Sequence, residues 1–115
     1  MAQLSINQRQ AGDVAILDLN GEVRIGDSAT ALRGAIRELV AAGNKKILLN
    51  LAGVRYIDSS GIGELVSSYT AIGKEGGQLK LLNLTQKLQD LLTITKLLTV
   101  FDVYESEAEA LNSFK

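Results

Sequence analysis

Ile47-Leu48-Leu49-Asn50-Leu51 is an almost unbroken apolar run, the pattern of a central strand covered on both of its faces. A chain that contains such a strand must supply neighbours on either side of it and a layer above and below. Apolar periodicity elsewhere switches repeatedly between the strand and helix patterns, which makes the fold class a mixed α/β domain.

Two strand-like runs, Leu4 to Gln10 and Val14 to Asn20, flank Ala11-Gly12-Asp13 and read as an antiparallel hairpin. From Ser28 to Ala42 the apolar residues Leu32, Ala35, Ile36, Leu39 and Val40 form one helical stripe, with Asp27 or Ser28 as its cap and Gly43-Asn44 as its end. A second helix is expected to begin near Ser60, to turn Ile62, Leu65, Val66, Tyr69 and Ile72 inward, and to stop at Gly76-Gly77. Leu79 to Leu82 reads as another buried strand, and a third helix opens at Thr85 with Leu88, Leu91 and Leu92 inward. A short strand over Val100 to Tyr104 and a last helix with the capping box Ser106 to Glu109 complete the chain. The alternation implies a mixed, mostly parallel sheet begun by an antiparallel hairpin, with helices packed on it, in a single domain spanning residues 1–115.

Composition narrows the chemistry. The chain has no His, Cys, Trp or Pro, so His- and Cys-based triads, zinc fingers, haem ligation and disulfides are out of reach. Hydrophobic residues are 46% of the chain but aromatic ones only 4%; the core must be aliphatic, and base stacking is disfavoured. Twelve basic and 13 acidic residues leave a net charge of −1, and Lys45-Lys46 is only a pair and not a basic run, which argues against nucleic acid or anionic membrane as partner. The start, Met-Ala-Gln-Leu-Ser, lacks the character of a signal peptide and no apolar run approaches a membrane span; a cytoplasmic protein is expected.

Polar residues able to act cluster at Tyr56-Ile57-Asp58-Ser59-Ser60-Gly61-Ile62-Gly63, between the central strand and a helix start, where open α/β sheets present functional loops. One helix start needs one cap, and Asp58, Ser59 and Ser60 offer three. At least one hydroxyl is therefore free to point outward. Gly61 and Gly63, lacking Cβ, are expected to let another molecule approach the backbone. Serine chemistry needs a base, and the nearby Asp58 is a weak one near neutral pH. Gly61-Ile62-Gly63 has Val66 where a dinucleotide fingerprint has its third Gly, and no GxxxxGK loop occurs. The chain is read as no enzyme, with no metal and no cofactor.

Ile57-Asp58-Ser59-Ser60-Gly61-Ile62-Gly63, with the apolar strand and Gly21-Glu22 ahead and the Gly-Gly-Gln-Leu-Lys-Leu run behind, closely resembles the STAS domain of bacterial anti-sigma factor antagonists. The resemblance implies a regulator that binds an anti-sigma factor of the serine-kinase type and so frees a sigma factor. It also implies phosphorylation of the Ser that follows the motif's Asp, here Ser59, reversed by a metal-dependent serine phosphatase. Where such proteins usually carry Gly-Glu-aliphatic-Asp, this chain reads Gly21-Glu22-Val23-Arg24. Arg24 is then a candidate partner for a phosphate on Ser59. The partner surface is expected to comprise Arg24, Ile25, Asp27, Asp58, Ser59, Ser60, Gly61, Ile62, Gly63 and Glu64, with Glu64 and Ser67 facing outward. Oligomeric state is left open.

A phosphate adds about −1.5 to −2 charges. Its attraction to the helix start, about 0.3 to 1 kcal/mol, is matched by repulsion from Asp58 of ~0.7 kcal/mol per charge, too little to unfold a domain. Buried unpaired at an interface the same charge costs several kcal/mol, so the switch is expected to act by blocking docking. The alternative is a non-phosphorylated STAS scaffold or adaptor within a larger signalling or transport complex.

Overall fold

The computed structural model describes residues 4–114; Met1–Gln3, read above against a signal peptide, lie outside the described residues. Strands β1 (Leu4–Ala11) and β2 (Val14–Val23) pair antiparallel through the tight turn at Gly12-Asp13. Helix α1 (Asp27–Ala41) leads to β3 (Lys46–Ile57), α2 (Ser59–Lys74) to β4 (Gln78–Leu82), and α3 (Gln86–Ile94) to the short β5 (Val103–Tyr104). Helix α4 (Glu107–Ser113) closes the described chain. The sheet order is β1-β2-β3-β4-β5 with every pair after the first parallel. The apolar run is thus the middle strand, and Ile47, Leu48, Leu49 and Leu51 have no exposed surface.

Alternation along the strands sends side chains to two cores. Leu17, Leu19, Ile47, Leu49, Leu51 and Leu81 meet Leu32, Ile36, Leu65, Ile72, Leu88 and Leu92 of α1, α2 and α3. Val14, Ile16, Leu48 and Leu82 meet Ala110 and Phe114 at α4 on the other side. At roughly 1.5–3 kcal/mol per fully buried aliphatic side chain, this double burial is the main force holding the sheet. Gly43 (φ 95°) and Gly76 (φ 79°) end α1 and α2; the amides of the residues that follow, Asn44 and Gly77, reach back to the carbonyls of Leu39 and Ile72, the left-handed helix end anticipated from sequence.

Several boundaries differ from the sequence reading. β2 runs on through Gly21-Glu22 to Val23, and β3 through Ala52-Gly53 to Ile57. Register shifts between Asp18 and Asn20 and between Gly21 and Glu22 keep the two strands paired where polar and Gly residues break the alternation. Neither Asp27 nor Ser28 caps α1: Gly26 (φ 100°) takes the cap position with no side-chain bond. Asp27 stands in the first turn, and Ser28 is buried against the backbone of Arg24. Tyr69, expected inward, is 37% exposed and sets its ring edge-on to Phe101 at 5.3 Å. Val100 lies outside β5 and is exposed.

Candidate functional site

The parallel pairing of β2 and β3 ends at Val23 and Ile57 side by side, and the Asp58 amide donates to the Val23 carbonyl at 3.1 Å. This brings the loop 24–26 against the start of α2, the rim at the carboxyl ends of the strands where α/β sheets carry their functional loops.

Asp58 is the cap of α2. Its Oδ1 accepts the Gly61 N–H at 3.0 Å, and its Oδ2 accepts the Ile25 N–H at 2.9 Å. One carboxylate therefore fixes a helix start and a neighbouring loop together. The Ile25 and Gly61 amides hold the carboxyl below its ordinary range, helped by Ser60 N–H and the charge of Arg24 and opposed by partial desolvation. With Asp58 in the cap, Ser59 is the first residue of α2 and is exposed, while Ser60 is half-buried.

The loop is built to present side chains. Ser28 Oγ accepts the Arg24 N–H at 2.7 Å and donates to the Arg24 carbonyl at 3.1 Å. The Arg24 side chain turns back: Nε donates to Glu22 Oε1 at 2.8 Å and the guanidinium lies 4.2 Å from the centre of the Tyr56 ring. Ile25 is 78% exposed. Beyond Tyr56 a shallow groove of 260 Å³ runs between the end of β3 and α3, with Leu91 and the 76% exposed Ile94 on its far wall.

Not every residue expected at this surface is there. Gly61 and Ile62 are buried. A Cβ on Gly61 would come within 2.5 Å of Ile57 Cγ1 and 2.8 Å of Val23 Cγ1, so this glycine serves packing of α2 on the strand ends and does not admit a partner. Gly63 is exposed, with open space where a Cβ would stand. Glu64, expected to face outward, is only 8% exposed. It points to α1, where Arg33 Nε donates to its two oxygens at 3.0 and 3.1 Å and the Arg33 Nη2 closes a third contact. That ion pair lowers the Glu64 carboxyl's pKa. The helical stripe placed Glu64 opposite the sheet, but the neighbouring helix covers that flank. Ser67 is exposed as expected.

Sequence reasoning passed over Glu22 and Tyr56 as a seat for Arg24, and over Ile94 as an exposed apolar residue. The i, i+2 spacing of Glu22 and Arg24 on an extended strand end was the available signal for the first. Among the described residues no group of His, Cys, Asp and Glu is placed to hold a metal ion, and no helix is long and apolar enough to cross a membrane.

A five-stranded sheet with this order and an Asp-Ser-Ser-Gly helix start at its rim define a class of domain. The model of the STAS domain matches residues 5–110, and the chain belongs to that family. It is 31% identical over 100 residues to the anti-sigma-B factor antagonist of Bacillus subtilis (strain 168), covering 87% of this chain and 90% of that protein. The crystal structure of the Thermotoga maritima protein TM1081 is 28% identical and covers 95% of this chain and 93% of its own, with a TM-score of 0.88. SpoIIAA of Bacillus in its phosphorylated form is 19% identical, covers 94% of this chain and 97% of its own, and superposes with a TM-score of 0.74, a likeness of fold alone.

Proposed function

We propose that this protein is an anti-sigma factor antagonist of the cytoplasm, a regulator without catalysis of its own. It binds an anti-sigma factor of the serine-kinase type through residues 24–27 and the start of α2, and so frees a sigma factor. Phosphorylation of Ser59 switches it off, and a metal-dependent serine phosphatase restores it. The observation that carries the reading is the division of labour at the helix start: Asp58 takes the cap with both oxygens, leaving the Ser59 hydroxyl exposed beside the equally exposed Ile25. The relatives named as antagonists support the same reading.

In the forward step Ser59 Oγ attacks the γ-phosphorus of ATP held by the kinase, the bond to the bridging oxygen breaks, ADP leaves and the hydroxyl proton passes to a base of the kinase. In the reverse step water attacks the phosphorus, inorganic phosphate leaves and the hydroxyl is regenerated. The phosphate adds about −1.5 to −2 charges at an exposed position. Burying it at the docking surface with no complementary group from the anti-sigma factor costs several kcal/mol, and about 4 kcal/mol already lowers affinity roughly a thousandfold. The fold stays intact because the helix N-terminus and Asp58 act on the phosphate with opposite signs and similar size.

A second reading is favoured by Arg24, which stands where members regulated in this way usually carry Asp: a STAS module that assembles in a larger complex without being phosphorylated. Intact-mass measurement after incubation with ATP and the organism's anti-sigma kinases separates the two. One phosphate on the wild type and none on Ser59→Ala supports the switch; no phosphate on either leaves the scaffold reading. Titration calorimetry with the anti-sigma factor then should find Ser59→Ala binding as tightly as the unmodified protein and Ser59→Asp weaker.

A further inference from the structure

We propose that Arg24 is the phosphate-holding residue of the switch: when Ser59 carries a phosphate, the Arg24 guanidinium leaves Glu22 and the Tyr56 ring and pairs with that phosphate. This rests on the reading of Ser59 as the modified residue. The base of Arg24 is fixed beside Asp58, the residue before Ser59. Its N–H and carbonyl are held by the Ser28 hydroxyl at 2.7 and 3.1 Å, its carbonyl also receives the Ala29 N–H at 3.1 Å, and the next amide, Ile25, is tied to Asp58 at 2.9 Å. Its tip is held more weakly. The side chain is 49% exposed and held by one bond to Glu22 at 2.8 Å and by stacking 4.2 Å above Tyr56, an exposed ion pair of the kind that contributes little.

The charge of Arg24 already helps hold the Asp58 carboxyl down, so the guanidinium acts electrostatically on the residue next to Ser59. Three acids share this rim, namely Glu22, Asp27 and Asp58. Glu22 offers the guanidinium a single charge and Asp58 is occupied by two amides. A phosphoserine offers nearly two charges and three acceptor oxygens, which the planar guanidinium fork fits in bidentate fashion. Phosphorylation on this view does more than add an anion: it moves the cation from Glu22 to the phosphate and uncovers the Tyr56 ring, one wall of the groove toward α3.

The test installs phosphoserine at position 59 during synthesis of the full chain, without any kinase, and follows the second ionisation of the phosphate by phosphorus NMR. In the wild type it should fall about 0.7 pKa unit below that in Arg24→Gln, the effect of one positive charge at ~4 Å in a watery setting. Arg24→Lys should recover part of the shift. Glu22→Gln should lower the value further in the wild type than in the Arg24→Gln background, because only the former has a guanidinium to release. Equal ionisation in wild type and Arg24→Gln, with both folded by circular dichroism, overturns the proposal. Failure of every kinase to modify Ser59 would overturn the functional reading instead and leave this measurement standing.

Discussion

Replacing Asp58 by Ala removes the one carboxylate that serves two elements. The α2 cap alone is worth about 0.5–2 kcal/mol. The bond to the Ile25 amide adds a charge-assisted contact at an exposed edge, which solvent reduces to about 0.5–1 kcal/mol. A loss of roughly 1–3 kcal/mol follows, and with an m-value of about 1–3 kcal/mol/M in urea the midpoint falls by about 0.3–3 M. The pH dependence identifies the cause. The folded-state pKa of Asp58 is depressed below its unfolded value, so its contribution is fully present above roughly pH 4 and is lost as pH falls through the folded pKa. Urea unfolding of wild type and Asp58→Ala should therefore give curves that differ at neutral pH and converge in acid. Asp58→Asn, which keeps one acceptor oxygen and turns an amide toward a backbone donor, should lie between them. A midpoint unchanged at pH 7, or a difference that persists undiminished well below the folded pKa, refutes the two-bond account.

Gly61→Ala gains helix propensity of about 1 kcal/mol but drives a methyl into Val23 and Ile57, and overpacking at about 1–3 kcal/mol should win; a melting temperature equal to or above that of the wild type contradicts this. Arg33→Ala and Glu64→Gln should each lower the melting temperature, with the double variant less impaired than the sum of the two; strict additivity rules out direct coupling of α1 to α2 through this pair. Ile25→Ala should leave unfolding within about 0.5 kcal/mol of wild type while weakening anti-sigma factor binding by about 1–2 kcal/mol, as loss of an interface anchor does; unchanged affinity by calorimetry removes Ile25 from the interface.

The fold was legible where local pattern and tertiary context agree. The Ile47–Leu51 run became the middle strand, the Leu32-Ile36-Leu39 stripe faced the sheet, and Gly43 and Gly76 closed their helices. Strand ends were not legible, because the extensions of β2 and β3 depend on register shifts between two chains of residues 33 or more positions apart, which no local periodicity encodes. At the site, surplus capping residues correctly implied a spare hydroxyl, yet nothing in Asp-Ser-Ser says which of the three takes the cap. Glu64 and Gly61 were misread for one reason. A helical stripe separates sheet side from outer side but does not show where the neighbouring helix or the strand ends press on the flanks, and there Arg33 captures the carboxylate and Val23 excludes a methyl.

β4 pairs with β3 only from Lys46 to Asn50, so the last seven residues of β3 project past it with β2 as their one strand neighbour, and those two strands slip register twice on the way. The rim that carries Arg24, Ile25 and Ser59 is thus mounted on a cantilever extending from a five-stranded foundation. The overhang is not loose, because Val23, Leu51, Val54 and Ile57 along it belong to the main core, but its outermost side chains, Arg24 and Ile25, point away from that core. Exchanging those two alters what a partner meets while the buried residues beneath them keep their contacts, whereas Asp58 and Gly61 at the same rim are bound to the fold.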